Sequence, residues 1–244
     1  MTSYPVSLSL VVPVHNEADN IQPLVAEIRA ALDGVAEYEL IYVDDGSNDA
    51  SVQRLTELRA NFSQLRVIRH QNSYGQSTAV MSGVKAARSE WIVTLDGDGQ
   101  NDPADIPKLL ALLDDHARPD NLQLVGGQRR KRQDSWLKRF SSRVANAVRS
   151  RLLKDNTHDT GCGLKLFSRA AFLALPQFDH MHRFLPALIL RNGGQVSYVE
   201  VNHRARVRGK SKYGVSNRLW VGIVDLLGVM WLQRRIKQPV IIEE

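Results

Sequence analysis

Four short apolar runs, each breaking into a polar cluster and each followed by a stretch with helical spacing, constrain this 244-residue chain more than any other feature. The runs cover residues 7–13, 38–43, 65–70 and 91–95, and the clusters fall at 13–17, 44–49, 72–76 and 96–100. Runs of this length rich in Val, Ile and Leu read as buried strands. After the first, Leu24, Ile28, Ala31 and Leu32 recur near helical spacing in a helix over 20–32. Further helices are expected over 50–61, with Asp49 as its N-cap, from the 72–76 cluster to Ala87, and over 103–116. Strands alternating with helices predict an α/β fold with a mostly parallel, doubly wound sheet. Ligands of such sheets sit beyond the carboxyl ends of the strands, where all four polar clusters fall. One such cluster is ordinary loop composition. Four in register point to a site.

The last cluster carries the most chemistry. Trp91-Ile92-Val93-Thr94-Leu95 gives way to Asp96-Gly97-Asp98-Gly99-Gln100. Residues two apart on an extended chain point the same way, so Asp96, Asp98 and Gln100 can present oxygens to one point. Gly97 and Gly99 let the backbone turn and a ligand come close. Hard oxygen ligands at a strand end suit Mg²⁺ or Mn²⁺ bridging to a diphosphate. A polar loop after a strand has the same composition, and on this stretch alone both readings stand.

Composition narrows the classes. A single cysteine, Cys162, excludes an internal disulfide and a zinc-thiolate site. Residues 1–9 lack the basic region and apolar core of a secretory signal, and no segment offers the roughly 20 apolar residues that span a bilayer. The single cysteine fits a reducing compartment such as the cytoplasm, and the expectation is a soluble or peripheral protein. The net charge of +6 is unevenly spread. Residues 1–127 carry 9 Lys and Arg against 18 Asp and Glu, whereas residues 128–154 carry 10 against 1. A basic second half fits nucleic acid, diphosphates or an anionic membrane surface. No nucleic-acid motif accompanies it, so nucleic acid is not expected as a partner.

The order of motifs resembles the family 2 glycosyltransferases of the GT-A (Rossmann-like) fold, and within them the polyprenyl-phosphate, dolichol-phosphate mannose synthase-like branch. The matching pieces are Pro13-Val14-His15-Asn16-Glu17, Asp44-Asp45-Gly46-Ser47-Asn48-Asp49 and Asp96-Gly97-Asp98-Gly99-Gln100-Asn101-Asp102-Pro103. Asp159-Thr160-Gly161-Cys162-Gly163-Leu164-Lys165-Leu166-Phe167-Ser168-Arg169 and Arg206-Val207-Arg208-Gly209-Lys210-Ser211-Lys212-Tyr213 complete the set, which covers about residues 7–215. The resemblance implies that Pro13, His15, Glu17, Val43, Asp44, Asp45 and Gly75 hold the base and ribose side of a nucleotide-sugar donor. It further implies that Asp96, Gly97, Asp98, Arg129, Arg206 and Lys212 meet the donor's diphosphate end. Asp98 and Gln100, with Asp96, would bind Mg²⁺ or Mn²⁺ and form the catalytic centre. One position departs from the pattern, since the family often has an aromatic residue where this chain has His15. Carboxylates suit donor recognition because ribose hydroxyls and base N–H groups are donors, although Asp44-Asp45 also fits helix capping.

Residues 135–153 predict a second functional element. Trp136, Phe140, Val144, Val148 and Leu152 recur every four residues with cations interleaved, a basic amphipathic helix of the kind that meets an anionic membrane surface. An ordinary helix packed on the core has the same pattern. The resemblance implies that Lys138, Arg139, Ser142 and Arg143 meet the phosphate of a lipid acceptor. Residues 203–213 carry six basic side chains and no acid, and read as a lid over the diphosphate or as a solvated loop. Cys162 lacks a nearby activating base and reads as a packing residue. Between Arg218 and the Arg234-Arg235 pair, the 218–235 segment is apolar apart from Asp225 and Gln233, and reads as an interfacial, partner-docking or core-covering helix.

These expectations divide the chain at about residue 215. Residues 1–127 form a nucleotide-sugar and metal half, 128–215 an acceptor and lid half, and 216–244 a C-terminal helix and tail. The implied reaction is an inverting, metal-dependent transfer of a sugar to a polyprenyl phosphate, undecaprenyl or dolichyl, with a possible membrane partner that uses the product. Transfer to a soluble sugar or glycan is the alternative within the same fold. A non-catalytic nucleotide-sugar-binding subunit is the alternative outside it.

Overall fold

The computed structural model describes residues 6–114, 118–129, 149–157, 159–205, 215–237 and 242. The chain alternates β1 (Leu8–Val14), α1 (Ala18–Leu32), β2 (Tyr38–Asp44), α2 (Ser51–Ala60), β3 (Leu65–Arg69), α3 (Gln76–Ala86) and β4 (Trp91–Thr94). A 3-10 turn at Pro103–Asp105 leads into α4 (Ile106–Asp114), followed by β5 (Leu122–Arg129), β6 (Lys165–Ser168) and α5 (Arg169–Leu173). After a second 3-10 turn at Met181–Arg183 come α6 (Leu185–Arg191), β7 (Gln195–Val201) and α7 (Val215–Arg235).

The seven strands form one sheet in the order β3-β2-β1-β4-β6-β5-β7. Pairing is parallel from β3 through β4 and again between β5 and β7, whereas β6 runs antiparallel to both its neighbours. This is the mostly parallel α/β sheet that the alternating pattern predicts. Strand alternation builds two cores. Leu10, Val12, Leu40 and Tyr42 face the layer of α1, α2 and α4, and Val11, Ile41 and Val43 face α3, α5 and α6. The chain leaves β1 toward β2 on one side while β4 flanks β1 on the other, so the crevice at the carboxyl ends of β1 and β4 is the switch point where such sheets bind ligands.

Three segments bear on local expectations. Asp49 does not occupy the cap position of α2, which falls on Ala50. It acts one residue further out, where Oδ1 accepts from Ser51 N at 2.9 Å and Oδ2 accepts from Ala18 N at 3.2 Å, joining the starts of two helices. The 159–169 segment, one of the motifs that carry the family resemblance, supplies β6 to the interior of the sheet between β4 and β5. The helix expected over 135–153 lies outside the described residues except for 149–153, which are helical.

Candidate active site

Three walls meet at the switch point. The first joins the loop after β1 to the loop after β2. His15 Nδ1 donates to Asp45 O at 2.7 Å, Asn16 N donates to Ser47 Oγ at 2.8 Å, and Asn48 N donates to Asn16 Oδ1 at 2.8 Å. Asn16 holds a left-handed φ of 54°, a conformation Asn tolerates better than most residues. Glu17 accepts from Asn20 Nδ2 at 2.6 Å on α1. Pro13 pairs with Val43 across the parallel strands just below this wall.

The adjacent carboxylates Asp44 and Asp45, indistinguishable in the sequence, have opposite fates. Asp45 is committed internally. Its oxygens accept from His70 Nδ1 at 2.7 Å, Ser73 Oγ at 2.8 Å, Tyr74 N at 2.9 Å and Gly75 N at 2.8 Å. Burial pushes its carboxyl up, but the bonds from Tyr74, His70, Ser73 and Gly75 outweigh burial and hold it below the usual range. Asp45 therefore fastens the 72–75 loop, the second wall, against the sheet. Gly46 permits the approach, since a Cβ there would lie 2.5 Å from Asn72 C and its φ is +67°. Asp44 is wholly buried, and among the described residues its Oδ2 accepts only from Ser47 N at 3.4 Å, with Arg69 Nε 3.6 Å away. Its Oδ1 has no hydrogen-bond partner among the described residues. A buried acceptor left open in this way calls for an explanation, and a donor group on a ligand supplies one.

The floor is a cluster of charges around Asp96. Asp96 N donates to Asn101 Oδ1 at 2.9 Å, which closes the loop, and Gln76 Nε2 donates to Asp96 Oδ1 at 2.8 Å from the start of α3. Gly163 crowds this carboxylate so closely that a Cβ there would lie 2.2 Å from Asp96 Oδ2. Burial, with the charge of Asp98 beside it, pushes the Asp96 carboxyl up to about 6. Lys165 and Arg129 pull the other way. Lys165 lies buried in β6, donates from Nζ to Cys162 O, and is drawn below the ordinary lysine value by burial. Arg129 forms a bidentate pair with Asp159, at 2.5 Å from Nε and 2.6 Å from Nη2. That pair outweighs burial and raises the arginine further. In this structure Arg129 is held at the edge of the floor by Asp159.

Asp98 Oδ1 accepts from Gln100 N at 3.1 Å, and the Gln100 amide reaches Arg204 O at 3.4 Å. The chain after β7 clamps this loop through an Asn101–His203 bridge and Arg204, whose guanidinium also pairs with Glu27 at 2.6 Å. Among the described residues no three His, Cys, Asp or Glu side chains converge on one point. A cation here would be held by Asp98 and Gln100 with Asp96, and would draw its other ligands from diphosphate oxygens and water, the coordination Mg²⁺ favours. Burial lifts Asp96 and the charge of Asp98 adds to it, and a cation would relieve that repulsion, so the residues present fit the group.

The structure thus brings Pro13, His15, Glu17, Asp44, Asp45, Gly75, Asp96, Gly97, Asp98, Gln100 and Arg129 to one edge of the sheet. Arg206 and Lys212, and the acceptor set Lys138, Arg139, Ser142 and Arg143, lie outside the described residues. Sequence reasoning gave no role to Gln76, Lys165, Asp159 or His182. His182 packs beside Ser77 with Nδ1 2.6 Å from its Oγ, and burial pushes the ring well below the ordinary histidine value. Lys165 carried a readable signal, a lone cation inside the apolar strand Leu164 to Phe167. Cys162 is buried, and burial pushes its thiol up, as fits a packing residue.

A parallel-sheet crevice with an open buried acceptor on one side and a carboxylate pair backed by cations on the other defines the GT-A class of nucleotide-binding α/β domains. Residues 9–175 match the family described as Glycosyl transferase family 2, and the chain belongs to that family. It is 37% identical over 237 residues to a dodecaprenyl-phosphate galacturonate synthase of Rhizobium johnstonii, covering 95% of this chain and 69% of that protein. It is 33% identical over 210 residues to an undecaprenyl-phosphate 4-deoxy-4-formamido-L-arabinose transferase of Aeromonas hydrophila, covering 85% of this chain and 63% of that protein. The chain therefore spans about two thirds of the length of these relatives. The fold matches glucosyl-3-phosphoglycerate synthase of Mycobacterium tuberculosis solved with Mn²⁺, UDP-glucose and phosphoglyceric acid, at a TM-score of 0.71 and 20% identity over 96% of this chain and 81% of that one. The same enzyme with Mg²⁺ and UDP matches at a TM-score of 0.68 and 20% identity, again over 96% and 81%. No described helix is long and apolar enough to cross a membrane.

Proposed function

We propose that this chain transfers a sugar, with inversion, from a nucleotide-diphosphate sugar to a polyprenyl phosphate at the cytoplasmic face of a membrane, using Mg²⁺ or Mn²⁺. The observation that carries the reading is the Asp96–Asp98 pair at the switch point, with Asp96 lifted by burial and by the charge of Asp98, beside Arg129 and Lys165. The relatives named for dodecaprenyl- and undecaprenyl-phosphate transfer supply the acceptor class. Asp44 Oδ1 accepts an N–H or hydroxyl from the donor's base or ribose, on the wall that His15 and Asn16 brace. Asp96 and Asp98 hold the cation, which when bound neutralises the diphosphate and stabilises it as the leaving group. Gln76 and Gly163 fix the orientation of the Asp96 carboxylate. Arg129, released from Asp159, and the lid residues Arg206 and Lys212 add charge to the diphosphate. A phosphate monoester is largely anionic at neutral pH and is itself the nucleophile, so the protein's work is positioning and charge stabilisation. Lys138, Arg139, Ser142 and Arg143 draw in the lipid phosphate.

The test is a transfer screen with purified protein, Mg²⁺ or Mn²⁺, a panel of nucleotide sugars, and short-chain polyprenyl phosphate present or absent. Metal-dependent product only with the lipid phosphate is expected. Transfer to a soluble sugar instead would overturn the acceptor assignment. Nucleotide binding without turnover would make the chain a binding subunit.

A further inference from the structure

The chain entering α3 lays out a ruler along the crevice. Tyr74 N and Gly75 N donate to Asp45, at the nucleotide wall. The next residue, Gln76, holds Asp96 Oδ1 at 2.8 Å on the floor. The one after it, Ser77, is buried and places its Oγ 2.6 Å from His182 Nδ1. Successive anchors thus lead from the nucleotide wall, past the carboxylates of the floor, to His182. Lys165 marks the same neighbourhood, since its charge acts both on Asp96 and on the His182 ring.

The segment that carries His182 is held from behind. Met181 and Phe184 are buried, and His180, at a left-handed φ of 62°, meets Asp225 of α7 at 3.1 Å. The Ser77 contact also sets the ring's tautomer. His182 N donates to Ser77 Oγ at 3.4 Å, and among the described residues the only acceptor for the hydroxyl's own hydrogen is Nδ1. Ser77 therefore donates to Nδ1, which leaves the ring hydrogen on Nε2. Burial, and after it the charge of Lys165, keep the ring neutral at pH 7. Among the described residues Nε2 has no hydrogen-bond partner, and the side chain is only half-buried. A neutral donor is thus fixed in place with nothing to donate to.

We infer that His182 Nε2 donates a hydrogen bond to an oxygen of the transferred sugar, and that the Ser77–His182 pair builds the sugar subsite. The inference rests on the proposed nucleotide-sugar donor and deepens it. The order of the anchors favours the sugar. With the base or ribose at Asp44 and the diphosphate over Asp96 and Asp98, the sugar is the next group of the donor along the ruler. Charge agrees with this order. A phosphate oxygen draws cations such as Arg129, whereas a neutral N–H is matched to an uncharged hydroxyl or carbonyl oxygen. A preset donor of this kind gives the site a means of selection, because a sugar without an oxygen at that point leaves the imidazole N–H unpaired.

The test is calorimetric titration of the full chain in Mg²⁺ without lipid phosphate. The ligands are UDP-glucose, UDP-N-acetylglucosamine, UDP-glucuronate and GDP-mannose, each set against UDP or GDP. His182→Asn keeps an amide near the Nδ1 position for Ser77 but ends short of Nε2, whereas His182→Gln carries an N–H to about the Nε2 position. His182→Asn is expected to bind the nucleotide sugar preferred by wild type about tenfold more weakly, with wild-type affinity for the bare diphosphate and wild-type thermal unfolding. His182→Gln is expected to recover part of that loss. Equal losses for nucleotide sugar and bare diphosphate, or a lowered Tm in both variants, would make His182 a structural residue and overturn the subsite. Unchanged donor affinity in His182→Asn overturns it too. So does a defect confined to KM for short-chain polyprenyl phosphate, which would place the ring on the acceptor. In each of these cases wild type still binds and transfers sugar, and the proposed function stands. Wild-type protein that binds none of the six ligands sinks the proposed function and the subsite with it.

Discussion

Asp44 and Asp45 allow one pair of conservative substitutions to separate recognition from architecture. Asp45→Asn keeps the shape but removes the charge from a carboxylate that accepts from His70, Ser73, Tyr74 and Gly75, and it turns an amide N–H₂ toward one set of those donors. Hydrogen bonds to a charged group contribute about 1.5–3 kcal/mol against about 0.5–1.5 for neutral ones, so weakening several and opposing one costs about 2–4 kcal/mol. For a chain of this length, at about 2–4 °C per kcal/mol, Tm falls by about 4–16 °C. Asp44→Asn loses only a long bond to Ser47 and a 3.6 Å contact with Arg69, whose side chain is 60% exposed. A pair so open to water contributes less than about 1 kcal/mol, and the substitution also removes a buried charge, so Tm stays within a few degrees of wild type. Nucleotide affinity should show the opposite ranking. Losing a charged acceptor for a base or ribose donor weakens binding about 10- to 150-fold in Asp44→Asn. Differential scanning calorimetry and nucleotide titration, at a temperature where both variants are folded, measure the two quantities. An Asp44 variant that binds nucleotide normally, or is as unstable as the Asp45 variant, refutes the division of roles.

Two further predictions concern the floor of the site. In Gly163→Ala the new methyl group meets Asp96 Oδ2 at 2.2 Å and must displace the carboxylate, so turnover falls by about 100-fold while circular dichroism stays native; full activity would show that Asp96 is not fixed by this contact. Asp96 has a folded value of about 6 against about 3.9 unfolded, so the fold favours its protonated form and the donor-free, metal-free protein gains stability as pH falls from 7 through 6 toward 4. Partial access to water trims this gain to about 2 kcal/mol. Urea unfolding across that range should show the trend in wild type and lose most of it in Asp96→Asn, and equal slopes in the two proteins would remove the assignment.

The fold was legible because its signal is repetitive. Each strand of the first half shows the short β-branched run that burial on both faces demands, and each ends in residues that cannot continue it. The site edge followed from the same pattern, since the carboxyl ends of parallel strands must share one side of the sheet. Roles within the site were harder to read, because they depend on partners far apart in the chain. Asp44 and Asp45 are chemically identical neighbours, and only the return of the 72–75 loop to Asp45 leaves Asp44 open. Lys165 could be flagged as a charge in an apolar strand, but its place beside Asp96 depends on β6 inserting antiparallel between β4 and β5, a pairing that local pattern does not encode. In α7 the sequence left the core, a partner and the membrane equally open. The structure adds only the direction Asp225 takes, inward to His180, a contact 45 residues away that no local pattern encodes.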